Sequence, residues 1–436
     1  MTNATILHMR VEWFAEHYPG EPFHAILCDP PYHLTSITKR FGNPDSAPAR
    51  ASRGFMGKRW DGGDIAYRPE TWAGLAKHLH PGGFGMAFAS SRGWHRLAVA
   101  IEDAGLIIHP TIFGYSFGSG FPKATRIDTQ VDRDAGAERE VVGERVRLGD
   151  KKPYETGGDS MFAGGETGSI TAPATDLART WQGHRYGLQA LKPALEPIIV
   201  FQKPYAGRPV DNITATGAGA LNIEAGRVSA EGLHKVTQGA GGSRTSWRVT
   251  HAPRQYEVPS GRWPSNLLLL DDGAAAALDA QSGGGASRFF YRVRAALDAA
   301  DPVCYTAKAS RAEREAGLEG FGRKASLIYS EMAQGPLPQQ TPSVPTPRRN
   351  HHPTVKPLDL ARYLATLLLP PDEYAPRRIL VPFAGSGSEC IGAFMAGWDE
   401  IVGVEFIREY VDIARARLAY WMGQGAQLDF MEELTT

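Results

Sequence analysis

Cysteine is nearly absent. Cys28, Cys304 and Cys390 are the 3 cysteines in 436 residues, far apart and without a CxxC pair. That argues against a disulfide framework and a thiolate zinc site and fits a reducing compartment, so a cytoplasmic location is expected. Charge of one sign is also missing: Lys plus Arg total 47, and Asp plus Glu total 47. Net charge therefore favours no polyanionic partner, and any nucleic-acid surface has to be local. No apolar run approaches the roughly 20 residues that span a bilayer, so no membrane partner is expected. Arg10, Glu12 and Glu16 interrupt the N-terminal stretch, which reads as no secretory leader.

What is present is a globular composition, 42% hydrophobic and 22% charged, with many turn-formers (Gly 49, Pro 31). Phe23–Cys28 is a short apolar run stopped by Asp-Pro-Pro, the pattern of a buried strand. The pattern predicts a helix over Trp72–His80, broken by Pro81-Gly82-Gly83, and then a second buried strand at Phe84–Ala89. Trp94, Leu97, Ala98 and Ile101 share a helical face that Gly105 closes, and Ile107–Phe113 reads as a third strand. This alternation predicts an α/β fold with a doubly wound, mostly parallel sheet. From Arg133 to Gly187 the glycine-rich, polar character reads as a long insertion, and Ile198–Gln202 returns to strand character. Near the C-terminus a helix is expected from Pro357 to about Leu369, a strand at Arg378–Pro382, a helix at Glu389–Ala396, a strand at Ile401–Val404 and a last helix at Ile407–Trp421. The expected organisation is an N-terminal α/β half (1–132), a loop-rich middle (133–350) and a C-terminal α/β half (351–436).

Three constellations carry chemistry. The first is Asp29-Pro30-Pro31-Tyr32, directly after a buried strand. An exocyclic amino group on a base is a poor nucleophile, because its lone pair is delocalised into the ring. A carboxylate and a backbone carbonyl that each accept one of its N–H bonds favour the pyramidal nitrogen that attack requires. Asp29 and Pro30 supply those acceptors, the prolines stiffen the turn, and Tyr32 offers a face for stacking. The second is Phe383-Ala384-Gly385-Ser386-Gly387-Ser388, between a strand and a helix, followed by Glu405 at the end of the next strand. Such a turn lets backbone approach a ligand closely, and an acid at that place can accept from the two hydroxyls of a ribose. No Lys-Ser/Thr follows the last glycine, so a phosphate-binding P-loop is not indicated. The third is His352-Pro353-Thr354-Val355-Lys356-Pro357 before a helix, which read alone is a proline-punctuated helix start with Thr354 as its cap.

In this order the three motifs resemble the circularly permuted β class of DNA amino-methyltransferases, where DPPY comes first, a target-recognition region follows, and HPTxKP, FxGxG and an acidic strand end come last. The stretches 54–61 (GFMGKRWD), 120–123 (GFPK) and 191–197 (LKPALEP) are similar to phage and bacterial members. The resemblance implies a Rossmann-like fold that uses S-adenosyl-L-methionine to methylate a flipped-out base in double-stranded DNA. It implies that Asp29 and Pro30 orient the target amino group, Pro31 fixes the turn and Tyr32 stacks on the base. Phe383, Ala384, Gly385, Ser386 and Gly387 would line the cofactor site, Glu405 would hold the ribose, and Thr354 and Lys356 would close the methionine end. Asp at the first position favours adenine-N6, with cytosine-N4 left open. Three positions depart from the family: Val381 where Asp is frequent, Ser388 where Thr is usual, and Ile6–Arg10, which lacks the acid that many members aim at the cofactor adenine.

Transfer from a sulfonium needs no metal, and none is expected. For the duplex, the basic and aromatic stretch Lys235–Trp263, with Arg244 and Arg248, is the expected contact, together with Lys39 and Arg40. A cognate restriction endonuclease and a homodimer are partners that the resemblance suggests. His351 and His352 read as loop residues rather than metal ligands. Asp29 and the motif order speak against methylation of RNA or a glutamine side chain, and the intact Asp29-Pro30-Pro31-Tyr32 speaks against a catalytically silent DNA-binding protein.

Overall fold

The computed structural model describes residues 2–32, 64–116, 122–144, 169–229, 261–269, 272–283, 285–292, 309–324 and 348–423. Its frame is a ten-stranded sheet. In chain order the strands are β1 (Asn3–His8), β2 (Phe23–Cys28), β3 (Leu79–Phe88), β4 (Ile107–Ile108), β5 (Phe113–Ser116), β6 (Leu195–Gln202), β7 (Leu267–Leu269), β8 (Tyr291–Arg292), β9 (Arg378–Pro382) and β10 (Glu400–Glu405). Across the sheet they run β1-β10-β9-β2-β3-β6-β5-β7-β8, with β4 also pairing β6. All pairs are parallel except those that β6 makes with β3, β4 and β5. The C-terminal strand β9 thus lies directly beside the N-terminal strand β2, with Ile379 opposite Ala25.

Helices against this frame include α1 (Val11–His17), α2 (Pro69–Lys77), α3 (Trp94–Asp103), α4 (Pro209–Thr216), α5 (Leu358–Leu368), α6 (Ser388–Ala396) and α7 (Arg408–Trp421), with a further helix at Asp272–Ser282 beside β7. The strands alternate between two cores, as a sheet buried on both faces must. Ala25, Leu27, Met86, Phe88, Ile198, Val200, Ile379 and Val381 face α5, α6 and α7. Ile26, Cys28, Ala87, Ile199, Phe201 and Leu380 face α1, α2 and α3. Gly392 on α6 permits the closest helix contact, since a Cβ there would lie 2.6 Å from the Ala361 backbone of α5. Cys28 and Cys390 are free and buried.

Some expectations change. Helix α2 ends at Lys77, and β3 starts before Pro81-Gly82-Gly83. The stretch Ile107–Phe113 is split into β4 and β5: both pair with β6, but the register shifts by two residues between Ile108 opposite Phe201 and Phe113 opposite Ile198. The N-terminal β1 and α1 had no strong pattern: β1 pairs only β10 and buries one residue, Ile6.

The described residues 122–144 and 169–189, which begin before the insertion expected from Arg133, form a unit of short ladders and helices Ile127–Asp134 and Asp176–Thr180. Its centre is polar rather than apolar, which hides it from hydrophobic patterning. Arg139 donates to Asp128 (2.9 Å), to Thr171 (2.9 Å) and to Asp132, and Asp132 also accepts from the Ala174 and Thr175 backbone and the Thr175 hydroxyl. No helix among the described residues is long and apolar enough to cross a membrane.

Candidate active site

Helix α6 links β9 to β10 on one face, and α2 lies between β2 and β3 on the other. The chain therefore leaves the carboxyl ends of β9 and β2 in opposite directions. In open α/β sheets, this switch point is where ligands bind. Asp29 follows β2, Phe383 follows β9, and Glu405 ends β10. Three motifs far apart in sequence thus reach the same edge of three adjacent parallel strands.

The turn after β9 is held in an unusual backbone shape. Phe383 has φ +60°, and Gly385 and Gly387 have φ +52° and +81°. A non-glycine residue with positive φ is strained by about 1–3 kcal/mol and tends to mark a functional turn. Glu405 secures the shape: one carboxylate oxygen accepts the Gly385 N–H (3.0 Å), the other the Ile407 N–H (2.7 Å). Burial pushes the Glu405 carboxyl up to about 7, against these hydrogen bonds. The Phe406 N–H bonds the carboxylate as well, which leaves acceptor capacity for a ligand hydroxyl. Beside it Phe406 is 41% exposed, with the Arg10 guanidinium 5.4 Å from its ring centroid.

From below, Arg417 of α7 clamps the same turn. It is fully buried and donates to the Ser386 carbonyl (2.5 Å), the Ser386 hydroxyl (3.1 Å) and the Ser388 hydroxyl (3.3 Å). Burial lowers its pKa to about 10, so it stays charged at neutral pH. Sequence reading passed over Arg417, since one Arg on an amphipathic helix carries no signal of burial.

The His352–Pro357 segment crosses above. His352 is buried, and burial pushes its imidazole down to about 3, so it is neutral; Nδ1 lies 2.9 Å from the Thr354 carbonyl. Thr354 itself is half-buried. The expected Thr354 cap is replaced. The residue before α5 is Pro357, with no side-chain cap of its own, and the buried Glu313 carboxylate accepts the Leu358 N–H instead. Glu313 sits on a five-residue helix, Arg311–Glu315, whose Arg314 also donates to the His352 carbonyl (2.9 Å). His351 meets a carboxylate that sequence spacing did not offer, with Nε2 3.0 Å from Glu409.

Lys356 projects onto Asp29. Its ammonium lies 2.9 Å from Asp29 Oδ2, 3.1 Å from the Tyr32 hydroxyl and 3.8 Å from Glu196 Oε2, above the rings of Phe88 (4.8 Å) and Tyr32 (5.3 Å). Burial would push its pKa down, but the charges of Asp29 and Glu196 outweigh this and raise it. Asp29 is 11% exposed, and its Oδ1 has no hydrogen-bond partner among the described residues. An acceptor that is buried and unmatched costs free energy, which a donor on a ligand would recover. Pro30 is buried, Pro31 and Tyr32 are half-buried, and the Tyr67 hydroxyl fixes the Tyr32 carbonyl at 2.7 Å. Burial and the Asp29 charge keep the Tyr32 hydroxyl protonated. The buried Glu389, at the start of α6, is pushed up to about 7 by burial and by Asp29, against the pull of Lys356.

The structure therefore brings together Asp29, Pro30, Pro31, Tyr32 and Lys356 in one group, and Phe383, Ala384, Gly385, Ser386, Gly387 and Glu405 in a second on the neighbouring strand ends. Lys39, Arg40, Arg244 and Arg248 lie outside the described residues. Of the stretch Lys235–Trp263 only Gly261–Trp263 is described; Trp263 is exposed, with Arg227 over its ring at 5.5 Å.

No protein-family model and no curated protein matches the chain. Among solved structures, M1.HpyAVI is similar at 10% identity and TM-score 0.35, over 95% of this chain and 98% of that one. Its complex with SAM gives 12% and 0.34, over 95% and 99%. The PvuII DNA methyltransferase, described as cytosine-N4-specific, gives 12% and 0.38, over 96% and 86%. Likeness at this level carries no functional argument, and the reading below rests on the site.

Proposed function

We propose that this protein is an S-adenosyl-L-methionine-dependent DNA methyltransferase that modifies the exocyclic amino group of a flipped-out base, adenine-N6 in particular. The observation that carries the reading is the arrival of Asp29-Pro30-Pro31-Tyr32, the Phe383–Ser388 turn and Glu405 at the carboxyl ends of three adjacent parallel strands. The residues present suit the cofactor. Glu405 keeps acceptor capacity for a ribose hydroxyl, Gly385 and Gly387 keep side chains out of the turn, and the exposed Phe406 offers a flat apolar face for a purine.

When bound, the cofactor supplies an electrophilic methyl group on a sulfonium. The protein's part is orientation. Asp29 Oδ1, without a partner among the described residues, accepts one amino N–H, and the Pro30 carbonyl accepts the other. The target nitrogen is then pyramidal, its lone pair aimed at the methyl carbon. The bound cofactor would supply the methyl group to that nitrogen, and Asp29 would take up the proton that the nitrogen sheds. Tyr32 stacks on the extruded base, with its backbone held by Tyr67. The preference for adenine follows from Asp at the first motif position.

The test is expression in a host without DNA methylation, followed by long-read mapping of modified bases. A sequence motif enriched in adenine-N6 methylation and lost in Asp29→Ala supports the reading. Cytosine-N4 methylation would overturn the base assignment and keep the chemistry. No modification by a folded, cofactor-binding protein would overturn the proposal.

A further inference from the structure

The group around Asp29 and Lys356 contains two acids that the proposed reaction does not use, Glu196 and Glu389. Glu196, from the stretch 191–197, sits on β6 directly opposite Tyr115 of β5, and the Tyr115 hydroxyl donates to Glu196 Oε2. Tyr115 is buried, packs edge-on against Phe88 at 6.0 Å, and is held protonated by burial and by the Glu196 charge. This pair holds the Glu196 carboxylate 3.8 Å from the Lys356 ammonium, which also lies 2.9 Å from Asp29. Two carboxylates therefore share a single ammonium over two aromatic rings, and Glu389 lies close enough to feel both Asp29 and Lys356.

That arrangement conflicts with methyl transfer as drawn above. A carboxylate neutralised by an ammonium is a weaker acceptor for an amino N–H. The nitrogen being methylated also gains positive charge, which a cation on Asp29 would oppose. The ammonium has to shift, and Glu196 is the other carboxylate it contacts. We infer that Glu196 is a positioning residue, aimed by Tyr115, that draws the Lys356 ammonium off Asp29 when the target amino group enters. No bond to Glu196 is made or broken; the methyl and proton go where the reaction above sends them. The inference rests on Asp29 being the acceptor in that reaction.

The experiment compares wild type, Glu196→Gln, Glu196→Asp and Tyr115→Phe, each checked for a cooperative melt. It reads kcat and KM for DNA methylation, and Kd for S-adenosylhomocysteine by calorimetry. Glu196→Gln keeps the size and the Tyr115 hydrogen bond but loses the charge. Its kcat is expected to fall about tenfold or more, with KM for DNA and Kd for S-adenosylhomocysteine within about twofold of wild type. Glu196→Asp is expected to recover part of the loss, and Tyr115→Phe to lose about threefold in kcat. A wild-type kcat in Glu196→Gln, or a loss seen in cofactor affinity alone, would overturn the inference and leave the methyltransferase reading standing. If Glu196→Gln does not fold, a wild-type kcat in Tyr115→Phe overturns it. A wild type that binds S-adenosylhomocysteine but methylates no DNA overturns both.

Discussion

The imidazole of His352 stands where a side chain at Gly385 would begin: a Cβ built on Gly385 would lie 2.8 Å from His352 Nε2. This contact joins two motifs separated by a helix, a strand and a turn. It also gives glycine two reasons to occupy the position, the space taken by a buried ring and a φ of +52°.

Gly385→Ala should therefore damage the cofactor turn specifically. The positive φ costs an alanine about 1 kcal/mol, and His352, neutral and wedged edge-on against Tyr410 at 4.5 Å, has little room to retreat. Gly397 is the control: its φ is +95°, and a Cβ there would meet nothing within 4 Å. Calorimetry should show S-adenosylhomocysteine affinity falling about tenfold or more in Gly385→Ala, while Gly397→Ala loses stability alone. Equal affinities in the two variants would refute the argument.

Cofactor affinity should also depend on pH through Glu405. Burial raises its carboxyl from 4.5 to about 7, so it is largely protonated below that pH and ionised above. The ionised form is the better acceptor for a ribose hydroxyl. Kd for S-adenosylhomocysteine should fall as pH rises from 6 to 8 and then level off. Glu405→Gln should bind weakly and with a flat profile. A slope that persists in Glu405→Gln would assign the titration to Glu389, which is also pushed up to about 7.

Much of this frame was legible in the sequence, for a physical reason. Strands buried on both faces, such as Phe23–Cys28 and Arg378–Pro382, appear as unbroken apolar runs ending in proline, and the functional turns follow them at once. What could not be read was assembled across distance. Glu313 caps α5 from 45 residues upstream; Arg417 reaches the Ser386 turn from the next helix but one in the chain's α/β/α run; Tyr115 and Glu196 meet as a cross-strand pair. The Thr354 cap was plausible locally, and the non-local Glu313 displaced it. The edge strand β1 had no pattern because only Ile6 is buried.

Arg417 should be worth more than a surface charge. Its guanidinium bonds the Ser386 carbonyl and hydroxyl and the Ser388 hydroxyl, and it reaches the Glu313 carbonyl at 3.4 Å. Removing it leaves those acceptors buried and unmatched, and takes a positive charge away from Glu313 and Glu389. Arg417→Met should lose about 3–5 kcal/mol in urea unfolding. Arg417→Lys keeps the charge but not the fork, and should recover only part of that. A loss below about 1 kcal/mol in Arg417→Met would class the clamp with ordinary surface ion pairs.

The polar centre of the unit formed by 122–144 and 169–189 makes it sensitive to acid. Burial raises the Asp132 carboxyl, but the Ala174 and Thr175 N–H groups, the Thr175 hydroxyl and Arg139 together bring it from 3.8 down to about 2. Asp128 is lowered too, first by its hydrogen bond from Arg126. A depressed folded-state pKa gives stability that is present above 3.8 and lost as pH falls towards 2. The unit should therefore loosen locally between those values. Asp132→Asn should imitate this at neutral pH, with limited proteolysis within 122–189 accelerated about tenfold and the main melting transition little changed. Cleavage no faster than in wild type would mean that the Arg139 network is not what holds the unit together.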